Sequence, residues 1–105
     1  MLKWRLSEEA QRDLGEIRFF TKREWGIVQS DRYIKTIREK IELLAQNPRI
    51  GIDRSADLEE GIRSVFIGSH TIYYVFDVEM LTVHAILHQA MTPYPHLVRM
   101  RPIFQ

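Results

Sequence analysis

The sequence predicts an α+β fold: an N-terminal strand, an antiparallel helix hairpin, then an antiparallel three-stranded meander with the helices packed on one face. Three observations predict it. Residues 8–46 carry apolar side chains at helical spacing, interrupted at Gly26. Residues 62–88 hold three runs rich in β-branched and aromatic residues, separated by turn formers. The chain has 105 residues, 45% of them hydrophobic, which suits one core and a single domain spanning residues 1–105.

Taken in order, "LKWRL" alternates apolar and basic residues and reads as a strand over Leu2 to Leu6. Ser7 is a good helix N-cap, and Glu8 and Glu9 suit the positive end of the helix that follows. Ala10, Leu14, Ile17 and the Phe19/Phe20 pair keep helical spacing up to Trp25 and Gly26. A second helix is predicted over Val28 to Gln46, with Tyr33, Ile34, Ile37, Ile41 and Leu44 on its apolar face. Asn47–Pro48 ends it. "RIGIDRSADLEEG" has no sustained period and reads as a loop. "IRSVFIG", "HTIYYVF" and "MLTVHAILH" then read as strands joined at Gly68–Ser69 and near Val78–Glu79.

Short hairpins imply a register. Ile67 faces His70, Val65 faces Ile72 and Arg63 faces Tyr74. On the next hairpin Phe76 faces Leu81, Tyr74 faces Val83 and Ile72 faces Ala85. One face then carries Val65, Ile67, Ile72, Tyr74, Phe76, Leu81, Val83, Ala85 and Leu87, with Arg63 and His70 at its margins. The other carries Phe66, Tyr73, His84, Ile86 and His88 among polar neighbours. The first is the face the helices cover.

Several chemistries are excluded by composition. There is no cysteine, so disulfides, thiolate metal sites and thiol nucleophiles are absent. A net charge of +1 does not suit general nucleic-acid coating. No apolar run is long enough for a signal peptide or a membrane helix, which points to the cytoplasm. His84 and His88 on one strand stand roughly 13 Å apart at about 3.3 Å per residue, too far to share a metal ion. No cofactor motif is present. A nuclease set can be drawn from Arg63, Tyr73, His84 and His88, but the register puts Arg63 on the face opposite the others. An exposed cross-strand pairing of His84 with Tyr73 is the simpler reading. Arg63 is read mainly as an anchor for a loop carbonyl or carboxylate such as Asp53 or Asp57.

Beyond these physical readings, the sequence resembles the ParE toxins of the RelE/ParE superfamily. The resemblance runs through "LSEEAQRDLGEI", "WGIVQSDRYI", "LAQNPRIG", "GIRSVFIGSHTIYYVF" and "ILHQAMTPYPHL". Most specific are Gly61 and Arg63 entering the sheet, His70 opening the next strand, and Ile86, Leu87, His88 and Met91 closing the last. Two positions depart from the pattern: Ala85 stands where the family often has arginine, and Thr92 where it usually has aspartate.

The resemblance implies the toxin of a type II toxin–antitoxin system that acts on DNA gyrase and is not an enzyme. It implies a ParD-like ribbon–helix–helix antitoxin, a hetero-oligomer with it, and no sequence-specific nucleic-acid binding. Trp4, Phe19, Phe20 and Trp25, more large aromatics than a small core hides, are the expected antitoxin contacts. Arg99, Arg101 and Phe104 lie in an acid-free tail and are the expected gyrase contacts. The alternatives are a RelE-type ribosome-dependent mRNA endonuclease using Arg63, Tyr73, His84 and His88, and a decayed, non-toxic interaction module.

Overall fold

The computed structural model describes residues 1–98. Strand β1 (Lys3–Leu6) leads into helices α1 (Glu8–Trp25) and α2 (Ile27–Gln46). A 3₁₀ turn (Pro48–Ile50) and a short strand β2 (Ile52–Asp53) follow. Strands β3 (Arg63–Ile67), β4 (His70–Phe76) and β5 (Met80–His88) form the meander, and a short helix α3 (Pro93–Val98) comes last.

The expected architecture is present, with two strands added to the meander. The sheet has five strands in the order β1-β5-β4-β3-β2. β1 begins at Lys3, one residue later than predicted, and lies parallel to β5, with Trp4 opposite Leu81 and Leu6 opposite Val83. β2 lies inside the segment read as a loop and pairs antiparallel with β3, Ile52 with Ser64 and Asp53 with Arg63. Two residues carry too little pattern to show a strand, which explains the miss.

Gly26 alone links the two helices, at φ 90°, a conformation in which a side chain is strained. α2 therefore starts at Ile27. Where the helices cross, the buried hydroxyls of Thr21 and Ser30 lie 2.8 Å apart. The helices lay Leu14, Ile17, Ile34, Ile37, Ile41 and Leu44 over Ile72, Tyr74, Leu81, Val83 and Ile86. Tyr74 is wholly buried, yet its hydroxyl is satisfied. It donates to the Pro48 carbonyl at 2.7 Å and accepts from the Gly51 amide at 2.9 Å. A Cβ on Gly51 would run into that phenol.

The β3–β4 register is the predicted one throughout. On β4–β5, Phe76 faces Leu81 and Tyr74 faces Val83 as predicted, but the register then shifts. Tyr73 faces Ala85 and Ile72 faces Ile86. His84 is the extra residue of a β-bulge. The bulge corrects the predicted faces beyond Val83. Ala85 and Leu87 go to the outer face, where they pack with Tyr73 and with Leu97 of α3. Ile86 joins the helix-face core. The expected His84–Tyr73 pairing does not form.

Helix α1 holds the bulge from the side. β1 stops pairing at Leu6, so α1 supplies the next partners to the β5 edge. The Ser7 amide donates to the Val83 carbonyl at 2.9 Å, and the Ser7 hydroxyl donates to the His84 carbonyl at 2.9 Å. The same hydroxyl caps α1 by accepting from the Ala10 amide. One turn on, the buried Asp13 carboxylate accepts from the Ile86 amide at 3.0 Å.

Two substitutions test this account. Asp13→Ala strands the Ile86 amide in the interior and is expected to cost about 1–3 kcal/mol, with faster hydrogen exchange at Ile86. Tyr74→Phe leaves the Gly51 amide and Pro48 carbonyl without a partner and is expected to cost a similar ~1–3 kcal/mol. Urea midpoints at unchanged m-value read both effects. Wild-type midpoints would show that these bonds do not hold the fold.

Candidate functional site

A groove of about 560 Å³ opens between α1, α2 and the β4–β5 end of the sheet. The helix hairpin forms one wall and the strands His70 and His88 stand on form the other. Ile17, Phe20, Trp25, Tyr33 and Met91 give it a largely apolar lining. Asp13, Glu16, Thr21, Gln29 and Ser69 supply its polar groups beside the histidines, and among the described residues neither lysine nor arginine lines it. Phe20 is 52% and Trp25 68% exposed at its rim. Aromatics of that size left open to water form an exposed apolar patch at the groove mouth.

Phe19, Ile27 and Val28 extend the apolar surface around the hairpin tip. Phe19 is 67% exposed but does not line the groove. Arg23 joins it to the rim, with its guanidinium 5.5 Å from the Phe19 ring centre and 5.9 Å from that of Phe20. Trp4 is placed elsewhere: half-buried on β1 opposite Leu81, it packs against the helix-face core. Its size suggested a surface contact, but its pairing makes it part of the packing.

At the sheet end of the groove, His70 and His88 stand opposite each other across β4 and β5, their ring centroids 5.4 Å apart and nearly perpendicular. Tyr33 of α2 puts its hydroxyl 2.7 Å from His70 Nδ1 and 3.0 Å from the Ile67 carbonyl. Burial, assisted by the neighbouring His88, lowers the His70 pKa from 6.5 to about 4. The predicted register put His70 and His88 on opposite faces, and the bulge brings them together. In the sequence, the signals of this site are a histidine at the start of β4, another at the end of β5, and an apolar helix hairpin.

The drawn nuclease set does not assemble. Arg63 donates to the Gly51 carbonyl at 2.8 Å and reaches that of Arg49 at 3.4 Å, holding the 3₁₀ turn to the sheet. This is the anchoring role expected of it, filled by carbonyls; Asp57 pairs with Arg54 instead. Tyr73 is buried on the outer face, with the Arg54 guanidinium 5.5 Å from its ring centre. His84 lies in the bulge, its pKa lowered by burial; Glu9 opposes that shift and Arg5 adds to it. His88 alone of the four lines the groove. Among the described residues no three histidine, aspartate or glutamate side chains could hold a metal ion together, and no helix is long and apolar enough to cross a membrane. Arg99, Arg101 and Phe104 lie outside the described residues.

The model of the ParE toxin of type II toxin–antitoxin systems matches residues 4–93. The chain is 32% identical over 97 residues to Toxin ParE1 of Caulobacter vibrioides, covering 92% of this chain and 99% of that protein. It is 37% identical over 91 residues to Toxin ParE1 of Mycobacterium tuberculosis, covering 85% and 91%. In fold it is similar to a chain of the chromosomal ParDE toxin–antitoxin system of P. aeruginosa, with TM-score 0.72 and 17% identity over 84% of this chain and 96% of that one. It is also similar to a chain of the RelBE2 toxin–antitoxin complex of M. tuberculosis, with TM-score 0.63 and 19% identity over 83% and 96%.

The His70 environment sets a pH dependence. Between about pH 6.5 and 4 the unfolded chain binds a proton at this histidine that the folded chain does not. Its contribution to stability is complete above pH 6.5 and falls as pH drops toward 4. Urea midpoints are expected to decline over that range in wild type and to decline less in His70→Gln. Equal slopes in the two proteins would remove His70 as the cause.

Proposed function

The chain belongs to the ParE toxin family of type II toxin–antitoxin systems, and on that premise we propose that it works by binding, with no chemistry of its own. In this reading its target is DNA gyrase in the cytoplasm, and it is neutralised in a hetero-oligomer by a ParD-like ribbon–helix–helix antitoxin. The antitoxin lays an apolar segment into the α1–α2 groove, over Phe20 and Trp25.

The observation that carries the proposal is the open, aromatic-rimmed groove beside a nuclease set that points in separate directions. A groove of this size lined by Ile17, Phe20, Trp25 and Met91 suits the apolar face of a polypeptide segment. Arg63 and Tyr73 are engaged in packing and His84 in the bulge, so phosphate chemistry lacks a common centre. That geometry gives no support to the mRNA endonuclease alternative. The ParDE and RelBE2 neighbours are named as toxin–antitoxin systems, which supports an antitoxin as partner here.

Phe20→Ala and Trp25→Ala are each expected to weaken capture by the cognate ParD-like antitoxin about 10-fold or more, as for aromatic anchors at interface centres. Both residues are exposed, so the fold should persist. Purified toxin is expected to inhibit gyrase supercoiling or to accumulate cleaved DNA, and His84→Ala and His88→Ala should leave growth arrest intact. Full supercoiling in excess folded toxin would exclude gyrase. Translation-dependent mRNA cleavage lost in His88→Ala would favour the endonuclease, and growth without arrest would indicate the decayed module.

A further inference from the structure

The two histidines at the sheet end of the groove differ in which ring nitrogen carries hydrogen, and the hydrogen bonds around them decide it. Tyr33 has one hydroxyl hydrogen and two close neighbours, the Ile67 carbonyl at 3.0 Å and His70 Nδ1 at 2.7 Å. The carbonyl can only accept, so it takes the tyrosine hydrogen. His70 Nδ1 must then carry hydrogen and donate to the Tyr33 oxygen, with the Ser69 hydroxyl 3.5 Å from the same nitrogen. The opposite assignment leaves two oxygens facing each other with no hydrogen between them. At His88 the Ala90 amide donates to Nδ1 at 3.1 Å, so this nitrogen is bare and Nε2 carries the hydrogen.

Side by side, His70 therefore offers an Nε2 acceptor and His88 an Nε2–H donor, and among the described residues no hydrogen bond occupies either. We propose that this end of the groove reads a carboxamide: it takes an asparagine or glutamine side chain carried on an apolar segment of the docking polypeptide. The carboxamide oxygen accepts from His88 and its NH₂ donates to His70, while the segment's apolar residues cover Phe20, Trp25 and Met91. A carboxylate satisfies His88 but sets its second oxygen against the His70 lone pair. His70 does not readily protonate to meet it, because burial and the adjacent ring oppose the charge. An ammonium or guanidinium group satisfies His70 but confronts the His88 hydrogen. A hydroxyl has donor and acceptor on one atom, whereas a carboxamide spreads them over two, one for each ring.

The proposal rests on the groove being a polypeptide-docking site, and its test does not need the partner. Benzamide, benzoate and benzylammonium share a phenyl ring and differ in the polar group. Each is titrated at pH 7 into ¹⁵N-labelled protein, reading the Trp25 indole and the imidazole nitrogens of His70 and His88. The free protein is expected to show hydrogen on Nδ1 of His70 and on Nε2 of His88. Benzamide should bind saturably about 10-fold more tightly than the other two, the scale of a mispaired polar group. Tyr33→Phe removes the acceptor that holds the His70 tautomer, so the tautomer should loosen and the preference for benzamide shrink. His88→Phe, at an exposed position, gives the same loss if Tyr33→Phe does not fold.

The opposite tautomer at either ring, equal or tighter binding of benzoate or benzylammonium, or no saturable benzamide shift would each overturn the carboxamide reading. If the Phe20 and Trp25 variants lose antitoxin capture while benzamide fails, docking stands and the carboxamide reading falls. If benzamide binds selectively while those variants capture antitoxin normally, the chemistry of the site stands, and its source in a docking polypeptide is overturned.

Discussion

The bond from the Asp13 carboxylate to the Ile86 amide, together with the grip of Ser7 on Val83 and His84, is the constraint on which the grooved half of the molecule depends. A strand edge beyond the end of its neighbour must find other partners for its backbone groups. β5 finds them on α1. The bulge at His84 lets the strand present those groups to the helix, and the helix in turn holds the bulge open. Ser7 serves two elements, capping α1 and donating to the bulged carbonyl. The start of the helix is thereby tied to the strand that changes face.

The shape and chemistry of the groove follow from that tie. Beyond the bulge, the odd positions Ala85 and Leu87 turn outward under Leu97, and Ile86 turns inward. His88 then comes beside His70 at the groove wall. The hairpin closes the other side, and its single-residue link at Gly26 leaves Phe20 and Trp25 at the rim. The result is an apolar trough with His70 and His88 side by side at one end. The small buried Ala85 packs with Tyr73 and Leu87 beneath Leu97 of α3.

Much of the fold was legible because its signals are local. The Ser7 cap, the apolar spacing from Ala10 to Leu44, the break at Gly26 and the alternation in β3 and β4 each depend on residues a few positions apart. The candidate site was less legible. Phe20 and Trp25 could be singled out by size, but Trp4 has the same size and is packed beside Leu81. Arg63 was readable as an anchor, although its acceptors proved to be carbonyls of the 3₁₀ turn.

By itself, then, the sequence determined the order of the first strand, the two amphipathic helices and the three-stranded meander, the helix-covered face of that meander up to Val83, and the family resemblance, but neither β2 nor α3. Periodicity and turn chemistry are properties of neighbouring residues, and they survive into the fold unchanged. Only the tertiary structure decided the parallel docking of β1, the two-residue strand β2 and the side on which Ala85, Ile86 and His88 lie. One extra residue in an alternating strand leaves no mark in its own composition. What selects it is a carboxylate 73 residues earlier in the chain, which reaches the strand only once helix and sheet have packed.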